Sequence, residues 1–502
     1  FDRINFYGKI ILNLGDSIRH GTKWLFTGNL AKRFLEFLIG IVLARILVPE
    51  DFGLVVTIQI FTGLAGYISG GGMGQALIQA KAVQAKDFEV VFTIQLFICI
   101  LIYALFYFIS PYFAQWFDQP IYENLLRVSA LTFLIRPFNN IPRSRLQREM
   151  KFKVIAIVEV LNIIFTGAIS IYLALRGYAV WALILGGLIG AVFTVIVLTI
   201  ASPWRPRLTY DRVIAEKLGS YGIKSSANEI IFYINKQATN LIVGRLYGAG
   251  ALGLFNKAES LSALPVTIIA GSAYQTVFRA LSKIQDNIDQ SKYVYLRTVT
   301  LVSVYTMPFY VGLWWLAEPF VGIVYGEKWL PAGILLKVLA VTGIFKCVMN
   351  PSGAVAAAQN RLGTEMRIHL ETLVLLVSLV FLAAYFIGID VFGVAVIFVI
   401  SKVYLAFRMV SLAKNILMVS WMEVFRTVMP SIYLSVLMYL SMLATWYSIG
   451  HWSAENIYIY FFVMASVGAL VYGIGFLCCP IKQLESESKR WKGKLGFGRF
   501  CT

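Results

Sequence analysis

Apolar residues run along this chain in long unbroken stretches, and polar residues return between them at regular intervals. Each stretch holds about 20 to 30 residues, enough for one helix to cross roughly 30 Å of hydrocarbon with some tilt. The pattern predicts about fourteen helices, near residues 22–47, 51–78, 87–117, 121–142, 152–176, 178–201, 219–247, 250–279, 294–324, 329–358, 363–388, 391–418, 424–449 and 454–479. The polar intervals alternate in kind. The basic ones are 143-RSRLQREMKFK-153, 203-PWRPRLTYDR-212, the stretch from Arg279 to Arg297, 361-RLGTEMR-367 and the tail after Pro480. Those between them, such as 118-DQPIYEN-124, 387-IGIDVFG-393 and 448-SIGHWSAEN-456, are short and poor in cations. Of the 44 Lys and Arg residues, 30 fall on one side, five on the other and nine inside apolar segments. The positive-inside rule then sets both termini in the cytoplasm. The expected fold is all-α and polytopic.

Composition narrows the classes. The chain is 59% hydrophobic with a mean hydropathy of +0.74, and little is left for a soluble domain. The net charge of +18 serves orientation and contact with anionic membrane lipid, not nucleic acid. Cys99, Cys347, Cys478, Cys479 and Cys501 lack metal-ligand spacing and read as small hydrophobes. His20, His369 and His451 are scattered, so neither a metal site nor a cofactor is expected. In residues 1–21, Tyr7, Ile10, Ile11, Leu14 and Ile18 share one helical face, which suits an interfacial helix and not a signal peptide. The tail, residues 480–502, carries Lys489, Arg490, Lys492 and Lys494 around Trp491 and reads as a flexible, lipid-facing anchor.

An internal repeat appears at an offset of 200 residues. Between 44-ARILVPEDFGLVVTIQIFTGLAGYISGGGMGQALIQA-80 and 244-GRLYGAGALGLFNKAESLSALPVTIIAGSAYQTVFRA-280, eight of 37 positions coincide without gaps, among them Arg45/Arg245, Gly53/Gly253, Gly71/Gly271 and Gln75/Gln275. Six predicted helices fit in the offset, so the halves share one orientation in the membrane. Parallel repeats of this kind suit a transporter that rocks around a central substrate. The organisation expected is a six-helix lobe at 22–201, a cytoplasmic linker at 202–218, a second six-helix lobe at 219–418 and two further helices at 419–479.

Ionisable groups inside the apolar segments carry the candidate chemistry. At mid-bilayer such a group costs roughly 2.5–3.5 kcal/mol if it faces lipid, so it faces a cavity or a partner. Asn29, Lys32, Arg33, Glu36 and Gly40 form one stripe on the first helix. Ser225, Asn228, Glu229, Asn235, Lys236, Thr239 and Asn240 mark the seventh, where Lys236 aligns with Glu36 in the repeat. The eighth adds Asn256, Lys257, Glu259 and Ser260. Arg136, Glu159, Glu371 and Lys402 lie nearer the cytoplasmic ends, where snorkelling or a structural pair accounts for them. The glycines of 70-GGGMG-74 suit close helix packing or a hinge. Surplus Lys and Arg in a cavity of reduced dielectric suit a phosphate-bearing ligand.

The stretches 43-LARILVPEDFG-53, 70-GGGMGQALIQ-79 and 142-PRSRLQREMKF-152 resemble bacterial polysaccharide-export flippases, more narrowly the lipopolysaccharide and colanic-acid-type flippases of the multidrug/oligosaccharidyl-lipid/polysaccharide superfamily. The resemblance implies two six-helix lobes around a central cavity, often with two extra helices. It implies a bacterial inner-membrane protein that moves an undecaprenyl-diphosphate-linked oligosaccharide outward for lipopolysaccharide, capsule or exopolysaccharide assembly. With it, Lys32, Arg33, Lys236, Lys257, Asn29 and Asn235 become candidate diphosphate-site residues, and Glu36, Glu229 and Glu259 candidate coupling or pairing acids. Candidate partners are the lipid-linked oligosaccharide, membrane lipid, a proton or sodium ion and polysaccharide polymerase machinery. The competing reading is a cation-coupled multidrug or small-solute antiporter of the same fold, which the excess of cations over acids disfavours. A membrane enzyme would carry a long outer loop with clustered catalytic groups, and no Walker A motif suggests ATP hydrolysis.

Overall fold

The computed structural model describes residues 27–70, 72–80, 83–449, 456–478 and 483–494, so the interfacial helix expected in 1–21 lies outside the described residues. Among them, every regular element is helical. The chain divides into two compact units at Gly253/Leu254.

The first unit holds α1 (27–46), α2 (Pro49–Gly70), α3 (Met73–Gln79), α4 (Ala85–Trp116), α5 (Ile121–Arg148), α6 (Phe152–Leu175), α7 (Val180–Ala201) and the start of α8 (Arg212–Lys283). The second holds the rest of α8, α9 (Ile288–Tyr325), a 3-10 turn (Glu327–Trp329), α10 (Leu330–Ala358), α11 (Leu362–Phe386), α12 (Val391–Leu417), α13 (Trp421–Ile449), α14 (Ile457–Cys478) and α15 (Glu485–Lys494). Ten of the described helices are long and apolar enough to cross a bilayer, and the chain is a multi-pass membrane protein. Of the long helices, α1, α5 and α8 fall outside that set. Their length is interrupted by ionisable groups, among them Lys32, Arg33 and Glu36 on α1 and Arg127, Arg136 and Arg143 on α5.

Several boundaries differ from those the apolar pattern predicts. The expected 51–78 helix is two helices, α2 and α3, because Gly72 takes a left-handed φ of 60° that a side chain would resist. The 72 residues of α8 would reach roughly 110 Å if straight, but Gly248 breaks the run with φ 82° and ψ 178°. That break separates the predicted 219–247 and 250–279 helices. α8 begins at Arg212, so only the first part of the predicted linker is non-helical. α5 runs on to Arg148 through Pro137 and Pro142, carrying Arg143 into the helix.

The non-helical residues 202–211 are strapped to α4. Trp204 is buried with Phe88, Val91 and Phe92, the Thr209 amide donates to Thr93 Oγ1 at 3.0 Å, and Thr209 Oγ1 donates to Glu89 Oε2 at 2.9 Å. Lys86 Nζ meets Asp211 Oδ2 at 2.6 Å. Beside the strap, Arg148 donates to the carbonyls of Leu77 and Ala80 at 2.9 and 2.7 Å, capping the negative end of α3.

At the other end of the first unit the repeat becomes visible in space. A Cβ on Gly53 would strike the Ala249 carbonyl, and a Cβ on Gly253 would strike the Pro49 carbonyl. Pro49 and Ala249 are repeat partners, as are Gly53 and Gly253, so the two contacts are reciprocal. Such self-complementary pairing is what a local two-fold relation produces.

In the second unit the core gathers around Tyr295, Val299, Tyr310, Cys347 and Val355, all nearly inaccessible. The described part of the tail is not a loose anchor. α15 docks through Arg297, which donates to the Gln483 carbonyl at 2.7 Å, to Ser486 Oγ at 2.7 Å and to Glu487 Oε1 at 3.2 Å. Trp491 Nε1 adds a bond to Tyr305 OH at 2.9 Å. One arginine that satisfies a carbonyl, a hydroxyl and a carboxylate gives the short helix an attachment its composition alone lacks.

Candidate functional site

Small residues bring α1, α6 and α7 close enough to enclose polar groups. A Cβ on Gly28 would overlap the Ala156 methyl, so α1 crosses α6 nearly in backbone contact. One turn further along each helix, Lys32 faces Glu159. Along the face of α6 that carries Glu159, Gly186 lies against Ser170 and Gly190 against Thr166 and Asn162, while Phe165 and Phe193 stack at 4.2 Å. The result is a cleft of about 300 Å³ lined by Lys32, Glu36, Asn139, Arg143, Glu159, Asn162 and Thr194 among apolar residues.

Its charges are arranged around one carboxylate. Glu159 Oε2 lies 3.9 Å from Lys32 Nζ, and Glu159 Oε1 pairs with Arg143 Nη2. Lys32 also reaches Glu36 Oε1 at 3.9 Å. Both lysine contacts stand at the outer limit of an ion pair, so Lys32 is held loosely. Asn162 Oδ1 accepts from Thr166 Oγ1 at 3.2 Å, and Thr194 Oγ1 donates to the Gly190 carbonyl at 2.9 Å.

The other expected site residues are distributed. Asn29 and Arg33 lie exposed on the α1 stripe that carries Lys32. Glu229, within the first arm of α8, accepts from Gln75 Nε2 at 3.4 Å; Asn235 is half-buried and Lys236 exposed. In the second unit, Lys257 Nζ rests 4.6 Å from the centre of the Tyr325 ring and 5.2 Å from that of Trp329. The ring faces offset part of the cost of removing the ammonium from water. Glu259 lies within electrostatic reach of both Lys346 and Lys402. Lys337 and Lys402 each sit 4.8 Å from a ring centre, Trp314 and Phe398 respectively. Glu371 is held by Arg408 at 2.6 Å and Arg367 at 3.1 Å. The structure thus brings Lys32 and Glu36 together in the cleft and leaves Lys257 and Glu259 in a different unit.

Sequence reasoning missed Arg143 and underrated Glu159. Arg143 reads as part of a basic loop until α5 is seen to continue through it. A signal for Glu159 was present: Glu159, Asn162, Thr166 and Ser170 recur at helical spacing along an otherwise apolar helix.

Known proteins share the fold and, in part, the sequence. The lipopolysaccharide biosynthesis protein WzxC of Escherichia coli (strain K12) is 23% identical over 364 residues, 71% of this chain and 73% of that protein. The teichuronic acid biosynthesis protein TuaB of Bacillus subtilis (strain 168) is 24% identical over 349 residues, 68% of this chain and 72% of that protein. Among solved structures, the lipid II flippase MurJ in an inward closed conformation superposes with a TM-score of 0.74, covering 93% of this chain and 99% of that one at 17% identity. The family model for polysaccharide biosynthesis proteins matches residues 42–334, more than half of the chain, and the chain is a member of the polysaccharide biosynthesis protein family.

Proposed function

We propose that this protein is a flippase that carries an undecaprenyl-diphosphate-linked oligosaccharide from the cytoplasmic to the periplasmic leaflet of a bacterial inner membrane, with both termini cytoplasmic. Family membership, relatives named for lipopolysaccharide and teichuronic acid biosynthesis, and a fold like that of a lipid II flippase all support this reading. The observation that carries it is the polar, cation-bearing cleft set among apolar helices.

In this reading Lys32, Arg33, Lys236 and Lys257 attract the diphosphate, and Asn29 and Asn235 serve its oxygens or the sugars. The isoprenoid tail stays in lipid, and alternating access moves the headgroup without covalent chemistry. Outward movement of two negative charges from a negative-inside cytoplasm gains about 4–5 kcal/mol per 100 mV, at roughly 2.3 kcal/mol per charge. Glu36, Glu229 and Glu259 are the carriers if a returning proton or sodium ion is coupled instead. Polysaccharide polymerase machinery is the natural consumer of the product.

The test is glycan export in cells that depend on this chain. Arg33→Gln or Lys236→Gln should abolish surface glycan while the protein level in the membrane stays unchanged. Normal export from both, and from Lys32→Gln and Lys257→Gln as well, overturns the assignment of these cations.

A further inference from the structure

The cleft of the first unit is already occupied by a carboxylate. Lys32 and Arg143 both turn to Glu159, and Glu36 takes a further share of Lys32. A carboxylate bridging two cations has the geometry of one edge of a phosphate: two oxygens, each offered to a separate donor. Glu159 is the least exposed of the four charged groups, at 21% against 36% for Lys32 and 45% for Arg143. It is therefore the most enclosed charge of the cleft, and both cations that pair with it are more open to solvent. Asn139, Asn162 and Thr194 surround the same space with neutral polar groups, and about 300 Å³ leaves room for a group larger than a carboxylate.

We propose that Lys32 and Arg143 form a diphosphate-binding pair, and that Glu159 is a resident counter-anion which the ligand displaces. This rests on the flippase reading and deepens it, adding Arg143 as a ligand-contacting residue and Glu159 as a positioning residue. The exchange explains why a cleft built to take an anion contains acids. An unpaired Lys–Arg pair among apolar helices would be costly while no ligand is bound. Glu159 lowers that cost and keeps both cations aimed at one point. It also limits affinity, because every anion that enters must take the cations from it. A transporter needs that limit, since a ligand held too firmly is not released.

The prediction is opposite in sign to structural damage. Purified full-length protein in lipid nanodiscs is titrated with farnesyl diphosphate, with inorganic pyrophosphate and with farnesol. Arg143→Gln and Lys32→Gln should each weaken binding of both diphosphate probes. Glu159→Gln should tighten them about threefold to fivefold, the factor for one half-exposed ion pair worth up to about 1 kcal/mol. Glu159→Asp keeps the charge but is shorter, and should give affinities between native and Glu159→Gln. Should Glu159→Gln fold poorly, Glu159→Asp carries the test, since any tightening is inconsistent with a purely structural carboxylate. The proposal falls if the Glu159 variants bind more weakly or as the native protein does. It also falls if farnesol binds as well as farnesyl diphosphate, or if Arg143→Gln binds normally. Failure of the underlying reading looks different: the native protein itself then binds neither diphosphate probe.

Discussion

Gly53→Ala and Gly253→Ala test the reciprocal crossing in the first unit. At each site the added methyl carbon would fall inside a backbone carbonyl, Ala249 for Gly53 and Pro49 for Gly253. No rotamer change can relieve that overlap, so the helices must separate. Overpacking of this kind costs about 1–3 kcal/mol, whereas Ala in place of Gly gains up to about 1 kcal/mol of helix propensity. The clash should win, leaving each variant about 1–2 kcal/mol less stable. At about 2–4 °C per kcal/mol for a unit of some 250 residues, the midpoint of thermal aggregation in detergent should drop by several degrees. Because one separation relieves both overlaps, the double variant should lose less than the sum of the two singles. Gly250→Ala is the control: it lies in the same helix with nothing near its would-be Cβ, and should match or exceed the native midpoint. Equal midpoints for Gly53→Ala, Gly253→Ala and Gly250→Ala would refute the reasoning, as would strict additivity in the double variant.

Two further predictions concern other parts of the chain. Trp329 is fully buried and carries Lys257 on its ring, so Trp329→Ala should cost about 3–5 kcal/mol, and Trp329→Phe, which keeps an aromatic face, clearly less; thermal midpoints decide, and equal losses would count against the ring contact. The bond from Lys86, aided by the Ile214 amide, holds the Asp211 carboxyl below its ordinary value. A depressed carboxyl stabilises above its unfolded value and ceases to do so as pH falls through the folded one, so the 202–211 strap should loosen only below about pH 4. Hydrogen exchange, corrected for its intrinsic pH dependence, should show that loosening in the native protein and not in Asp211→Asn, whose strap should already be loose at neutral pH. The same profile in both would sink the claim.

The apolar pattern located the helices well because a bilayer demands length and hydrophobicity together, and both are written locally. The turn at Gly248 and the extent of α6 and α7 followed from that demand alone. The pattern failed where local signals conflict with packing. The basic run from Arg143 argued for an end to α5, yet the helix continues through Pro142 to Arg148. Three consecutive glycines permitted either continuation or a break, and only the left-handed φ at Gly72 decides between them. The tail's charges suggested a flexible, lipid-facing anchor and gave no sign of the single arginine that docks it, since Arg297 lies far off in sequence. The cleft was half legible. The α1 stripe was visible, but the partner of Lys32 depends on how closely α1 and α6 approach, which Gly28 and Ala156 set without any charge to betray it.

The glycine crossing also bears on how a chain of this kind comes to be. When a segment is duplicated and the copies fold against each other, most positions answer only to their own surroundings and are free to diverge. A residue whose backbone is pressed against its twin's surroundings answers to both copies at once. At Gly53 and Gly253 any side chain in one copy intrudes on the other, so neither can drift alone. That is why a glycine pair stays in register among 37 positions that otherwise hold only seven identities. Identity at this pair then marks one place where the copies touch.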